Sequence, residues 1–297
     1  MNLAPWIELI HARRQTGRVE LPADAAPRLQ KLAGIRAVVF DIYGTLFSSG
    51  VGDISLAARQ DRNDALQATL RDNDIRLTRT GQATRIDAML HTWIQKHQED
   101  RRADGIEYPE VEIRDVWVDF IQDLVNLELV DPDFDADIQT LVIDYETRVN
   151  PTQAMPHLVE TLEALYQREL TMSIISNAQF YSPLLFDTFL NQDFQQLGFC
   201  PECSVWSYDL LEGKPSKHLY EIAAQLLQQH HGITTAQVLY VGNDMRNDIW
   251  PAQLVGFKTA LFAGDRRSLR RRQDDPNCKD RLADLEITDL LQLLSCI

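Results

Sequence analysis

Hydrophobic spacing changes character twice along the chain. Residues 1–34 carry a short apolar helical face in Trp6, Leu9 and Ile10, interrupted by Leu21-Pro22 and Pro27. They read as a leading helical arm packed against the main domain. Ala37-Val38-Val39-Phe40 is an unbroken apolar run of the kind a strand needs when both faces of a parallel sheet are covered. Between 48 and 150 the period becomes that of a helix. Ile86, Met89, Leu90, Trp93 and Ile94 mark one stripe; Ile113, Val116, Trp117, Phe120, Ile121 and Leu124 a second; Ile138, Leu141, Val142 and Tyr145 a third. Such stripes are core faces.

Strand and helix signals then alternate. Leu158, Leu162, Leu165 and Tyr166 predict a helix, Thr171–Ile175 a strand, and Leu184–Phe189 a helix. A strand near Ser204–Ser207 and a helix from Ser216 to His230 come next. Val238–Val241 predicts a strand, Pro251–Val255 a helix, Thr259–Phe262 a strand, and Leu285–Leu294 a short strand with a closing helix. This order argues for an α/β fold, a parallel sheet with right-handed crossovers, interrupted by a helical insert.

Charge narrows the function. The formal net charge of −15 argues against nucleic acid as a partner and requires a local positive clamp or metal for an anionic substrate. No apolar stretch approaches the ~20 residues of a membrane span, and the N-terminus lacks the basic start and apolar core of a signal peptide. Four cysteines in 297 residues make no disulfide scaffold, so a soluble, cytoplasmic protein is expected. Cys200-Pro-Glu-Cys203 raises zinc, but Cys278 and Cys296 are distant and wrongly spaced, so two loop or buried thiols are expected instead.

Polar residues of distinct types stand at or just after the strand ends: Asp41 and Thr45; Ser176 and Asn177; Lys214 before the helix near Ser216; and Gly242-Asn243-Asp244-Met245-Arg246-Asn247-Asp248. In a parallel sheet those ends converge on one crevice. A phosphoryl group in transfer spreads charge over three oxygens, so lysine, hydroxyl and backbone N–H donors belong around it. Mg²⁺ takes a few carboxylates, a carbonyl and retained waters. Asp41, Asp244 and the backbone carbonyl of Tyr43 would make such a site, with Asp248 beside them or stabilising a helix N-terminus.

DIYGTL, IISN, GKP and GNDMRND, in that order over residues 35–262, resemble the four motifs of the haloacid dehalogenase superfamily. The resemblance implies a Rossmann-like core (35–47 and 151–297) with an inserted α-helical cap (48–150) and a small anionic substrate. It implies Asp41 as the nucleophile, Ser176 binding the transferred group, Asn177 in support, Lys214 neutralising charge and Asp244 on a metal.

Tyr43 departs from the phosphatases of that family, which generally carry an acid–base Asp at this position. The family's 2-haloacid dehalogenases share the Asp-x-Tyr-Gly-Thr pattern and use no metal. Their fourth motif, however, has a single Asp. Three carboxylates facing one lysine would repel one another without a further cation. That conflict makes a Mg²⁺-dependent small-molecule phosphatase the expectation. A metal-independent dehalogenase is the alternative, and a non-catalytic module a third reading. Tyr43, with an ordinary pKa of about 10, could donate a proton but is a poor base.

Other positions are expected to be structural. Asp53 is read as a helix cap ahead of a substitute acid, and Gly50 and Gly52 as hinge or plain loop. Arg59, Arg62, Arg71 and Arg76 are candidates for the arginine a dehalogenase needs, with solvation as the ordinary outcome. The Arg266, Arg267, Arg270, Arg271 and Arg272 run is expected to be solvated or paired with the protein's own acids. Tyr220 is expected to pack.

Overall fold

The computed structural model describes residues 3–49 and 62–297. β1 (Ala37–Phe40) sits inside a six-stranded sheet with β2 (Thr171–Ser176), β3 (Val205–Trp206), β4 (Val238–Gly242), β5 (Lys258–Phe262) and β6 (Leu285–Ile287). The spatial order is β3-β2-β1-β4-β5-β6, and every pairing is parallel. That is the doubly wound order, whose crevice opens where the connections reverse direction beside β1.

Burial explains why β1 reads as a continuous run. Val38 and Phe40 enter one hydrophobic core, Ala37 and Val39 a second on the opposite face, and none is exposed. β4 divides the same way, with Leu239 and Val241 on one side and Val238 and Tyr240 on the other. Ala37 stands opposite both Thr171 and Val238, and Phe40 opposite both Ile174 and Val241. The residues at the ends of the three strands are therefore delivered to one level.

Before the sheet lies α1 (Ala4–Ala12). Between β1 and β2 come α2 (Asn63–Asp72), α3 (Arg79–Ala83), α4 (Ile86–Ala103), α5 (Ile113–Asn126), α6 (Ile138–Val149) and α7 (Leu158–Gln167). All six apolar positions expected on α5 are buried, each worth roughly 1.5–3 kcal/mol. On α4, Ile86 and Leu90 are buried and Met89, Trp93 and Ile94 lie against the core at its edge. Tyr166, counted with the apolar face of α7, is 63% exposed. Among the described residues the remaining α-helices are α8 (Leu184–Leu190), α9 (Ser207–Leu210), α10 (Lys217–His231), α11 (Trp250–Leu254) and α12 (Leu293–Cys296). Gly50, Gly52, Asp53 and Arg59 lie outside the described residues.

Among the described residues, contacts along two seams join the helical insert to the rest of the fold. Trp6 Nε1 on α1 donates to Thr140 Oγ1 on α6 at 3.0 Å, while its ring meets Phe180, beyond β2, edge-on at 6.4 Å. Arg13 donates to Asp144 of α6 at 2.9 and 3.1 Å. On the other side, residues 108–113 run against the loop before α10. Glu110 N donates to Leu211 O at 3.0 Å and Gly213 N to Tyr108 O at 2.8 Å. Gln179 fastens the same segment, accepting from Ile113 N at 3.1 Å and donating to Val111 O at 2.9 Å. Among the described residues no helix is long and apolar enough to cross a membrane.

Candidate active site

Asp41 leaves the end of β1 almost fully buried, at 5% exposure. Its backbone N–H continues the sheet by donating to Val241 O at 2.9 Å. Its Oδ1 accepts from Ser176 Oγ at 2.9 Å and from Lys214 Nζ at 2.6 Å. Oδ1 thus accepts two side-chain hydrogen bonds.

Lys214 is the hub. Its ammonium also donates to Asp248 Oδ1 at 2.6 Å, with Tyr240 Oη at 3.4 Å. Burial works against its charge, but Asp248 and Asp41 outweigh burial and hold its pKa above the ordinary lysine value. Asn177 sets the backbone of this residue: its Oδ1 accepts from Lys214 N at 2.7 Å and its Nδ2 donates to Lys214 O at 3.4 Å. Asn177 thus positions the lysine.

Asp248 lies beside Asp41 and Asp244, joined to the first through Lys214 and to the second by a backbone hydrogen bond. It is 1% exposed. Oδ1 accepts from Lys214 and from Tyr240 Oη, the latter at 3.0 Å, and Oδ2 accepts from the backbone N–H of Asp244 at 2.9 Å. Burial raises its pKa, Lys214 opposes the rise and Asp41 adds to it. A Cβ on Gly242 would fall 2.4 Å from Asp248 Cγ, so glycine is what lets this carboxylate lie over the end of β4. Tyr220 packs as expected: it is buried, edge-on to Tyr240 at 5.1 Å, and donates to Asn247 O at 2.7 Å.

The turn after Asp41 is held from below. Thr45 Oγ1 donates to Asn243 Oδ1 at 3.2 Å, and Asn243 Nδ2 donates to Ser268 O at 2.6 Å. Gly44 has φ +88°, and a Cβ there would lie 2.7–2.9 Å from Ser268 Cβ and the Asn243 amide. A side chain would be both strained and crowded.

Asp244 caps the π-helical turn Met245–Ile249, accepting from Arg246 N at 2.8 Å and Asn247 N at 3.3 Å. Arg272 grips the same carboxylate, Nη2 to Oδ2 at 2.6 Å and Nε to the two oxygens at 3.1 and 3.2 Å. The arginine run divides accordingly. Arg266 pairs with Glu20 and Arg271 with Glu286, as self-pairing predicts, whereas Arg272 reaches the site. Backbone bonds carry it there: Arg270 N donates to Asn243 O and Met245 N to Arg270 O. A 790 Å³ cavity on the outer side of Arg272 is lined in part by Arg246, Arg266 and Arg271; Asp41 does not line it.

The oxygen donors expected for Mg²⁺ are the right chemical kind, but the three carboxylates do not converge on one point. Among the described residues, the groups whose ligand atoms come within 4.8 Å of one another do not include Asp41, Asp244 and Asp248. Asp244 is held by Arg272 and Asp248 by Lys214, Tyr240 and a backbone N–H, so both oxygens of each are engaged. As arranged, this set does not fit a hard divalent ion.

Tyr43 faces the helical insert. Its hydroxyl lies 2.9 Å from Ser182 Oγ, and burial pushes its pKa well up. Nearby on α6 is Glu146, whose carboxyl burial raises to about 7, opposed by Arg62 and reinforced by Glu110. Glu110 itself is raised by burial and accepts from Ser207 Oγ at 3.2 Å. Of the candidate arginines in the described residues, Arg71 pairs with Asp72 and is exposed, and Arg76 is exposed. Arg62 differs: its Nε and Nη2 are buried without a hydrogen-bond partner.

Sequence reasoning missed Glu146 and Tyr240, and it named Arg272 only within a run expected to be solvated or paired with the protein's own acids, not as the partner of Asp244. Tyr240 alone carried a usable signal, being a hydroxyl inside an otherwise apolar buried strand.

The family model for haloacid dehalogenase-like hydrolases matches residues 35–256. A 2-haloacid dehalogenase from Pseudomonas syringae pv. Tomato DC3000 is 20% identical, with a TM-score of 0.54 over 88% of this chain and 97% of that one. A HAD phosphatase from Thermococcus onnurineus is 19% identical, with a TM-score of 0.49 over 88% and 97%. No curated protein matches. With the matched span taking in Asp41, Ser176, Lys214 and Asp248, the chain belongs to the haloacid dehalogenase-like hydrolases.

Proposed function

We propose that the protein hydrolyses a small 2-halocarboxylic acid without a metal, with Asp41 as nucleophile. The observation that carries this reading is the Arg272–Asp244 pair. The case for Mg²⁺ rested on three carboxylates facing one lysine; with Arg272 present, two cations face them. Attack on a dianionic phosphate beside the one remaining negative charge is opposed electrostatically, whereas a 2-halocarboxylate brings one negative charge rather than two.

In this reading Asp41 Oδ2 attacks the carbon bearing the halogen, and halide departs with the bonding pair. Lys214 and Ser176 hold Oδ1 and fix the carboxylate plane for that approach. Water then adds to the ester carbonyl of Asp41, releasing a 2-hydroxy acid and a proton. Arg62, whose Nε and Nη2 have no hydrogen-bond partner, is the group we assign to the substrate carboxylate. Tyr43 stays protonated and shapes the crevice.

A second reading, a Mg²⁺-dependent phosphatase, is favoured by Glu146: a carboxyl titrating near neutrality could protonate an alkoxide leaving group. A single turnover in H₂¹⁸O separates the two. Ester hydrolysis places ¹⁸O in the Asp41 carboxylate, whereas hydrolysis of an aspartyl phosphate places it in phosphate. Chloride release from 2-chloropropionate in the presence of EDTA supports the first reading. Mg²⁺-dependent phosphate release from acetyl or aryl phosphate, with no chloride, overturns it.

A further inference from the structure

Away from the crevice, Cys200, Cys203 and His231 come together. One ligand atom from each lies within 4.8 Å of the other two. Cys200 Sγ is 3.4 Å from His231 Nε2 and 3.4 Å from Glu202 Oε2. Two ligands of one tetrahedral zinc ion, a thiolate at about 2.3 Å and an imidazole at about 2.0–2.1 Å, stand about 3.6 Å apart. The observed spacing is close to that.

The local fold holds these groups in place. Cys200-Pro-Glu-Cys203 makes a 3₁₀ turn, with Cys203 N donating to Cys200 O at 3.3 Å. Cys203 is buried in the core beside Val205, Leu219, Ala223 and Leu227. His231 is the last residue of α10. Arg36 fastens that end, donating to the carbonyls of His231 at 3.3 Å and Gly232 at 3.1 Å. The two-residue spacing between the cysteines is one that zinc turns use. The histidine arrives from 28 positions further on, which is why a search for more cysteines finds no third ligand.

We propose that Cys200, Cys203 and His231 bind one Zn²⁺ ion, with Glu202 or a water at the fourth, solvent-facing position. Binding exchanges two thiol protons for the metal: both S–H bonds break, both protons leave to solvent, and no electrons move. Because both thiols must lose their protons to bind, affinity weakens as pH falls. α10 spans 15 residues, about 22 Å at 1.5 Å per residue, which sets this site well away from Lys214 at the helix's other end. Its role is to pin the turn before β3 to the end of α10.

The test is metal content and Co²⁺ substitution of the full chain under reducing conditions. We expect one zinc per chain after dialysis. With Co²⁺ we expect the d–d bands of a tetrahedral ion and a thiolate-to-cobalt charge-transfer band. Cys200→Ser and His231→Ala, both on partly or fully exposed residues, are each expected to lower Co²⁺ affinity at least tenfold, while Asp41→Asn leaves it unchanged. The proposal is overturned by octahedral Co²⁺ spectra, by bands that survive both substitutions, or by no metal uptake while all four thiols titrate as free. Isolation of a Cys200–Cys203 disulfide that, once reduced, still takes up no metal also overturns it.

Discussion

The Arg272 guanidinium holds Asp244 at two points, Nη2 to Oδ2 at 2.6 Å and Nε across both carboxylate oxygens at 3.1 and 3.2 Å. Planar pairs of this kind are the strongest guanidinium–carboxylate contacts. The pair adds a cation to the crevice, and the proposed metal-free chemistry rests on it. Arg272→Gln strips a cation from a carboxylate that is only 9% exposed. A hydrogen bond to a charged group is worth about 1.5–3 kcal/mol, so halide release is expected to fall about 10- to 100-fold, with Mg²⁺ failing to restore it. Steady-state assays with and without Mg²⁺ check this. A variant that gains phosphatase activity on adding Mg²⁺ would show that Arg272 had been excluding the ion.

Asp41 and Lys214 are expected to respond differently to substitution, although they are bonded to each other. Asp41→Asn leaves the Lys214–Asp248 pair intact at 2.6 Å, so the protein stays folded and turnover drops by about 10⁴-fold or more. Lys214→Met removes the shared cation and strands Asp41 and Asp248, whose side chains are 7% and 1% exposed. Removing one partner of a buried ion pair costs about 3–5 kcal/mol. Urea unfolding is expected to show a lower midpoint for Lys214→Met with an unchanged slope. Equal midpoints for the two variants would refute this assignment of the hub.

Legibility in the sequence depends on the range of the interaction. β1 could be read because burial on both faces leaves a run of Ala37 to Phe40 with no polar break, and α5 because its six buried residues repeat at the helical period. Asp41, Ser176 and Lys214 could be placed together because parallel strands deliver their ends to one edge. Arg272 could not. It sits in a run of arginines whose neighbours do pair with surface acids, and its contact to Asp244 spans 28 residues that take in α11 and β5. Glu146 likewise looks like any helical glutamate; its rise to about 7 comes from burial in the folded chain, reinforced by the charge of Glu110. His231 closes on Cys200 only because α10 has the length to bring it there.

Glu146 makes stability depend on pH in a definite direction. Its folded pKa, about 7, lies above an unfolded value near 4.3. Between those values the folded state binds more protons than the unfolded one, so stability falls as pH rises from about 4.5 to 7 and levels off above. The full span is at most about 4 kcal/mol. Glu146→Gln removes the titration, so it is expected to flatten the stability profile across pH 5–8 and to raise the unfolding midpoint at pH 8. A variant with the wild-type slope would place the titration elsewhere. If Glu146 also donates a proton in turnover, the same variant loses the alkaline limb of the rate profile, which halide displacement does not require.

The seam between α1 and α6 offers the last test. Asp144 accepts from Arg13 at 2.9 Å, from Arg148 at 2.9 Å and from Asn73 at 3.2 Å, and its side chain is 3% exposed. Arg13, by contrast, is 32% exposed, and its loss still leaves Asp144 paired with Arg148. Arg13→Ala is therefore expected to cost about 1 kcal/mol or less, in the range of partly exposed pairs. Asp144→Asn leaves two guanidinium groups facing each other with only Asp72 to balance them, Arg148 at 2.6 Å and Arg13 at 3.9 Å, and is expected to cost about 2–4 kcal/mol. Because Glu146 lies half a helical turn from Asp144 on α6, the second variant is also expected to shift the pH midpoint of the Glu146 transition, and the first is not. A double-mutant cycle on unfolding free energies measures the coupling. Additive effects of Arg13→Ala and Asp144→Asn would mean that the arm does not fasten the insert through this carboxylate.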